Sequence, residues 1–248
     1  MTITKEGDAL AMLGVALALV AVAVGAIIQG SIGFGYAFVA VPTLALLYPE
    51  AVPVTPLLLA LPMTVLMSAR EWRFIDATGF FLITGARAIG TAAGVALLVL
   101  IPANFLSVLV GLLIVAAALL SFFRPNFEVN NKTRLAGGVA SGITSTTAAI
   151  GGAPLALVYQ DRSGAELRST LAISFVVGII LSLVGLALAG KVESWHFVLA
   201  LQLLPGLLVG LWASRLVVER LDERWLRPAV LIFAAVAGLM VALLGPQG

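Results

Sequence analysis

The sequence predicts an all-α fold, a polytopic bundle of helices that cross a membrane several times. Of the 248 residues, 61% are hydrophobic and 10% are charged, whereas a soluble domain carries about 25% charged residues. Apolar runs of about 20 residues, long enough to cross the hydrocarbon core of a bilayer, recur along the chain. These runs are continuous, so they lack the alternating polarity of the strands of about ten residues that build membrane barrels.

Seven apolar runs are candidate crossings: Ala9–Ile28, Val52–Ala69, Thr78–Ile101, Phe105–Phe123, Thr170–Ala189, Phe197–Leu216 and Pro228–Leu244. Two further apolar stretches, Gln29–Leu47 and Leu135–Tyr159, are rich in glycine and contain proline. The sequence therefore predicts seven or eight crossings, depending on how these two stretches are arranged.

The two glycine-rich stretches resemble each other, which indicates an internal duplication. Gln29-Gly30 aligns with Ser141-Gly142, and Val41-Pro42 aligns with Ala153-Pro154. The alternative is that apolar sequences look alike by chance. The duplication predicts two transmembrane repeats, residues 1–124 and 135–248, joined by a cytoplasmic linker over residues 125–134.

The distribution of Lys and Arg predicts that the second stretch is re-entrant, because cytoplasmic loops are enriched in these residues. If Leu135–Tyr159 crosses the membrane, the two faces carry 7 and 6 of them, which is no bias. If it enters and leaves by one face, 11 lie on that face and only Lys191 lies opposite, with Lys5 unassigned. The halves are then inverted copies, as in many secondary transporters, and the first stretch is expected to be broken or re-entrant as well.

The glycine-rich stretches are the expected substrate site. Unpaired backbone in hydrocarbon costs several kcal/mol per group, so a helix break at membrane depth has to face protein or a cavity. The N–H groups that begin a half-helix favour anions, and small polar side chains add neutral donors. The residues expected to bind substrate are Gln29, Gly30, Ser31, Gly33, Ser141, Gly142, Thr144, Ser145 and Thr146.

The alternative for such small residues is close helix packing. We prefer that interpretation for two GxxxG patterns, Gly90 to Gly94 and Gly206 to Gly210.

Arg87 is the only ionisable side chain deep within a predicted crossing. Burying an arginine costs about 2.5 to 3.5 kcal/mol on insertion scales, so such a residue usually faces a cavity, a partner or a substrate. Its planar guanidinium suits a sulfonate, sulfite or carboxylate group. The alternative is an arginine that snorkels or braces the bundle. Gln202, in the matching crossing of the second repeat, is a weaker candidate for the same site.

Composition argues against an enzyme. The chain has no Cys, one His and no carboxylate at depth, so neither a nucleophile with its base nor a set of metal ligands is in place. His196 follows Trp195 and is interpreted as an interfacial anchor, with a role in proton coupling as the alternative. We expect no cofactor, no metal and no nucleic acid. The expected partners are the lipid bilayer, a small anionic substrate and a coupling ion, either a proton or sodium, with a homo-oligomer left open.

The chain resembles the TauE/SafE family of sulfite exporters and organosulfonate permeases over nearly its whole length. The motif begins Gln29-Gly30-Ser31-Ile32-Gly33-Phe34-Gly35, continues with Val41-Pro42-Thr43-Leu44 and has a degenerate echo that ends Gly151-Gly152-Ala153-Pro154-Leu155. The resemblance implies a multi-pass protein of the cytoplasmic (inner) membrane. Its implied activity is secondary transport, by alternating access, of small sulfur oxyanions or organosulfonates such as sulfite or sulfoacetate. An anion channel and a transporter of small carboxylates are the alternatives.

The sequence departs from the family pattern at the first break. The family commonly has three successive glycines there, whereas this chain reads Gly33-Phe34-Gly35-Tyr36. The aromatic pair Phe34 and Tyr36 could narrow or gate the first hairpin.

Overall fold

The computed structural model describes residues 2–71, 73, 77–102, 105–123, 129–159, 164–217 and 223–245. Within these ranges the chain forms ten α-helices, a short 3-10 turn at Pro49–Ala51 and no strand. The helices are α1 (Thr2–Ile32), α2 (Tyr36–Leu47), α3 (Val54–Glu71), α4 (Ala77–Leu100), α5 (Leu106–Phe123), α6 (Asn131–Ala148), α7 (Gly152–Val158), α8 (Gly164–Leu188), α9 (Ser194–Val217) and α10 (Glu223–Leu244).

Six of the described helices are long and apolar enough to cross a membrane, which confirms the predicted class of fold. Their spans are Met12–Ile32, Gly79–Leu100, Leu106–Phe123, Glu166–Leu188, Ser194–Leu216 and Arg227–Leu244. The crossing predicted at Val52–Ala69 is a shorter apolar helix, Val54–Ala69. It begins only after Pro53 and covers about 24 Å at 1.5 Å per residue, less than the hydrocarbon core of about 30 Å.

The helices run in two opposite directions. α4, α6 and α8 are parallel to one another, because successive positions of α4 meet successive positions of the other two. The contacts that give this direction are Ile83 with Gly138, Thr91 with Gly142, Arg87 with Gly178 and Val95 with Gly185. α1 and α9 are likewise parallel, through Leu19 with Gly206 and Ala23 with Gly210.

One end of the bundle, which we call the Lys191 end, holds an open vestibule of about 540 Å3. α3, α5 and α9 begin at this vestibule, and α2, α4, α6, α8 and α10 end there, as shown by its lining residues Val54, Ser107, His196, Ala45, Leu98, Thr147, Leu186 and Val241. α1 begins at the same end, since Gly14 lies against Tyr48. We call the opposite end the arginine end.

Each glycine-rich stretch contains the break of a helical hairpin. In the first hairpin, the crossing predicted at Ala9–Ile28 continues into the start of the glycine-rich stretch as one helix, α1. α1 and α2 pack against each other, enter from the Lys191 end and return to it. α6 and α7 enter from the arginine end, and the return is evident where Val158 of α7 meets Gly137 near the start of α6. Because α6 and α8 run in the same direction, the chain comes back to the arginine end between them. The second hairpin is therefore re-entrant, as predicted.

The main contacts between helices of the two halves have equivalent contacts when the two halves are interchanged. α1 packs on α9 as α6 packs on α4, while α3 packs on α8 and α5 on α10. Each half contributes five helices in the same order, and the hairpins enter from opposite ends. The bounds of the two repeats, residues 1–124 and 135–248, stay a prediction.

Positive charge is distributed unequally between the two ends. Among the cations whose side chains the structure describes, the arginine end holds Arg73, Lys132, Arg134, Arg168, Arg215 and Arg227, and the Lys191 end holds Lys191. Arg87 lies between the ends. This distribution agrees with the bias predicted for a re-entrant second hairpin.

Candidate functional site

The two helix breaks, one from each half, line a single small cavity of about 40 Å3, which we call the central cavity. The first hairpin contributes Gln29 and residues 34–38, and the second contributes Ser145 and residues 149–153. α3, α4 and α8 close the sides with Leu57, Ala60, Thr64, Arg87, Phe175 and Ile179. Segments that are more than 100 positions apart in sequence thus meet at one place.

Two glycines make the first break possible. Gly33 and Gly35 have φ angles of 98° and 122°, in the region that favours glycine over residues with a side chain. The Gly33 N–H donates to the Gln29 carbonyl at 2.7 Å. One turn later in the hairpin, the Tyr36 N–H donates to Gln29 Oε1 at 3.1 Å. Gln29 therefore satisfies a backbone donor at the start of α2 that would otherwise be orphaned.

The second break is closed by the last turn of α6. Ala149 adopts a left-handed conformation with φ 55°, and its N–H donates to the Ser145 carbonyl. The Ile150 N–H donates to the Thr144 carbonyl at 3.1 Å. The Ser141 hydroxyl donates to the Gly151 carbonyl at 2.6 Å. The backbone that leaves the helix is thus braced from within the hairpin.

Arg87 brings a positive charge to the central cavity. Its residue is 1% exposed, and its Nη1 donates to the Ser174 carbonyl at 2.8 Å. The guanidinium carbon lies 5.7 Å from the centre of the Phe175 ring and directly against Gly178. Nε has no hydrogen-bond partner in the part of the chain that the structure describes.

No carboxylate is among the described residues that line the central cavity. Carbonyl and aromatic groups orient a guanidinium, but they do not cancel its charge. A buried cation without a counter-charge favours an anionic ligand.

Three of the predicted site residues meet at the central cavity: Arg87, Gln29 and Ser145. Ser141 lies behind it and holds the second break. These four predicted residues lie close together in the fold and form the candidate site.

The other hydroxyls predicted at the site are engaged elsewhere. Ser31 donates to the Ile27 carbonyl and Thr144 to the Ala140 carbonyl, each within its own helix. Thr146 pairs with the Ser182 hydroxyl of α8 at 2.8 Å. None of the three lines the central cavity.

The predicted glycines and Gln202 have other surroundings. Gly33 forms the first break, whereas Gly30 faces Ser214 of α9 and Gly142 faces the α4 backbone at Arg87 and Thr91. The side chain of Gln202 is exposed on the outside of α9, and the fold does not bring it to the cavity. The reason is the rotation of α9 about its axis. The next residue, Leu203, faces inward and is fully buried, so Gln202 faces outward.

The residues chosen for packing do pack. A Cβ on Gly90 would overlap the Val139 carbonyl of α6, and one on Gly210 would overlap the Ala23 carbonyl of α1.

His196 stacks on Trp195 with ring centres 3.9 Å apart. Its Nε2 lies 3.2 Å from the Glu50 carbonyl oxygen, and its Nδ1 lies 3.1 Å from the Glu193 nitrogen.

Several cavity residues carried no signal in the sequence. Thr64, Phe175 and Ile179 lie within apolar runs, where nothing distinguishes an inward side chain from one that faces lipid. Helical phase alone does not help, because most of these helices are apolar all round.

A family model described as "Sulfite exporter TauE/SafE" matches residues 17–241, from α1 to α10. No curated protein and no solved structure matches the chain.

Proposed function

Because the chain belongs to the TauE/SafE sulfite exporter family, we propose that it is a secondary transporter of small anions. The proposed substrates are sulfur oxyanions and organosulfonates, such as sulfite or sulfoacetate. One observation carries the proposal: the breaks of two inverted hairpins and the buried Arg87 line the same cavity. Transporters with inverted repeats place their substrate site at such a junction.

Arg87 is the proposed anchor for the substrate. A guanidinium presents parallel N–H donors that match two oxygens of a planar or tetrahedral oxyanion. The Ser145 hydroxyl is a further proposed donor, since Ser145 lines the same space. A bound anion would balance the charge of Arg87, which no described carboxylate at the cavity does.

The unequal cavities at the two ends support alternating access. Among the cavities lined by described residues, the vestibule at the Lys191 end has a volume of about 540 Å3, whereas a cavity near the arginine end has about 60 Å3. Thr147 in the vestibule follows two residues after Ser145 in the central cavity. We assign the structure to a state accessible from the Lys191 end. We propose that the protein lies in the cytoplasmic (inner) membrane with the arginine end facing the cytoplasm, which the excess of Lys and Arg at that end supports.

Binding to purified protein tests this proposal. Sulfite, thiosulfate, sulfoacetate, taurine and simple carboxylates are titrated against the natural protein, Arg87→Ala and Arg215→Ala. Arg215 is a matched control, since it is an exposed cation at the arginine end. We expect the sulfur oxyanions or sulfonates to bind saturably and Arg87→Ala to weaken that binding about 10- to 100-fold, the range for a charged hydrogen bond. Equal binding to all three proteins would contradict the site.

Flux into proteoliposomes separates a transporter from a channel. We expect saturable uptake that depends on a gradient of a coupling ion, with protons and sodium compared directly. Electrogenic flux that does not saturate and ignores both gradients would identify a channel.

A further inference from the structure

A second small cavity lies between the central cavity and the arginine end. Its volume is about 60 Å3, and we call it the Arg227 cavity. It is lined by Phe34, Ser121, Ala153, Ala156, Leu157, Leu167 and Arg227. The end of α5 and the start of α10 supply its polar groups. The first break, α7 and the start of α8 supply its apolar walls.

Polar groups in the Arg227 cavity are incompletely satisfied. Arg227 Nη2 donates to the Ser121 carbonyl at 2.7 Å. Arg227 Nη1 and the Ser121 hydroxyl are both buried and have no hydrogen-bond partner among the described residues. Ser121 is 2% exposed. A buried donor without a partner is costly and usually indicates a water, an ion or a ligand.

The chemistry of these donors selects an anion. One guanidinium nitrogen and one hydroxyl, both free to donate, face a space whose other described lining is apolar. No carboxylate is among those lining residues. A compact oxyanion would accept from both donors, while a cation would be repelled by Arg227.

Phe34 separates the two cavities. Its side chain lines both of them, and the Arg227 guanidinium carbon lies 5.9 Å from the centre of its ring. Phe34 stands between Gly33 and Gly35, whose positive φ angles of 98° and 122° make this segment unlike the helices around it. Ala153 lines both cavities as well, so Phe34 is the larger of the two shared residues between the donors of Arg227 and the cavity of Arg87.

We propose that Arg227 and Ser121 form a second anion subsite, which holds a small oxyanion between the central cavity and the arginine end, with Phe34 as the partition. The inference rests on the proposed function, since it concerns the same class of substrate. The Arg227 subsite is the weaker of the two, because Arg227 is only half-buried and solvent screens its charge more strongly.

Titration calorimetry with sodium sulfite tests the subsite through stoichiometry. The natural protein is expected to bind two sulfite ions, and Arg227→Gln and Arg87→Gln are each expected to bind one. The ion that remains in Arg227→Gln should be the tighter one. Arg215→Gln, which removes a cation at the same end, should still bind two.

Ser121→Ala keeps the charge of Arg227 and the carbonyl that Arg227 contacts, so it serves where Arg227→Gln fails to fold. We expect it to weaken only the second binding event, by about 10- to 100-fold for one hydrogen bond to a charged acceptor. Phe34→Ala should remove the partition between the two cavities. We expect the two binding events to become one unresolved isotherm whose stoichiometry is still two sulfite ions.

Two results would overturn the subsite. One is a single sulfite ion in the natural protein that is lost in Arg87→Gln and unchanged in both Arg227→Gln and Ser121→Ala; the central site would then stand alone. The other is no sulfite binding to the natural protein, which would contradict the proposed substrate class together with the subsite.

Discussion

Arg87 is held by groups that orient it without neutralising it. The Ser174 carbonyl accepts from Nη1, the Phe175 ring lies beside the guanidinium carbon, and Gly178 leaves room for the whole group. The positive charge is thus fixed in position before any ligand binds. Such preorganisation reduces the entropy that binding costs, and it explains why a glycine stands at position 178 of an otherwise ordinary helix.

Gly178→Ala, a change in α8, is therefore expected to impair anion binding by Arg87 of α4. An added Cβ would overlap the guanidinium of Arg87, and Arg87 would have to move or lose its bond to Ser174. We expect affinity for sulfite to fall about tenfold or more, as for a displaced charged donor. Calorimetry measures it.

Gly85→Ala is the matched control, because no other atom lies within 4 Å of a Cβ placed there. If Gly178→Ala binds sulfite as tightly as Gly85→Ala does, Arg87 does not depend on this contact.

The paired helices α4–α6 and α1–α9 give the bundle its tightest contacts. Each pair brings a glycine of one helix onto the backbone of the other, at Gly90 with Val139 and at Gly210 with Ala23. In a membrane, where lipid is as apolar as leucine, close packing replaces the hydrophobic effect as the force between helices. The GxxxG patterns therefore stabilise the same contact in both halves.

Alanine at either glycine is expected to destabilise the protein. Gly90→Ala and Gly210→Ala each push a methyl group against a backbone carbonyl, and overpacking of this kind costs about 1 to 3 kcal/mol. The midpoint of thermal unfolding in detergent should fall in both variants and by similar amounts. In Gly85→Ala it should stay or rise, since alanine favours a helix over glycine. A fall in only one of the two would argue against equivalent roles in the two halves.

The whole molecule is organised by two hairpins that enter from opposite ends. Both breaks line the central cavity, so it belongs to neither half alone. Among the cavities lined by described residues, the vestibule lies at the Lys191 end and the smaller Arg227 cavity lies toward the arginine end. We propose that the two halves exchange conformations and so reverse this difference, which would give alternating access.

Cysteine labelling tests the orientation of the molecule in a chain that has no native cysteine. Labels at Asn130 and Arg215, both exposed at the arginine end, should react only from the cytoplasmic side of intact cells. A label at Lys191 should react from outside.

A label at Ser163, which lies outside the described residues between α7 and α8, should react from the same side as Asn130. Reaction of Asn130 and Ser163 from opposite sides would refute the re-entrant second hairpin.

The candidate site was only partly predictable from sequence. Arg87 was found because a charge inside an apolar run is conspicuous, and Gln29 and Ser145 because they lie beside glycine-rich breaks. Gln202 was chosen by the same polarity argument, yet its side chain is exposed. Arg227 was counted only as a positive charge near a helix end, because its proximity to Ser121 depends on the packing of α5 on α10.

By itself, the sequence determined that this protein lies in a lipid bilayer, that it is helical, and that it has two helix breaks in an inverted arrangement. Hydropathy, glycine and loop charge are properties of short segments, and each is legible without knowing the partners of that segment. Only the tertiary structure decided which side chains face one another: that Arg87 meets both breaks, that Gln202 turns outward and that Phe34 divides two cavities. These facts depend on helix rotation and pairing, and helices that are apolar all round record neither in their sequences.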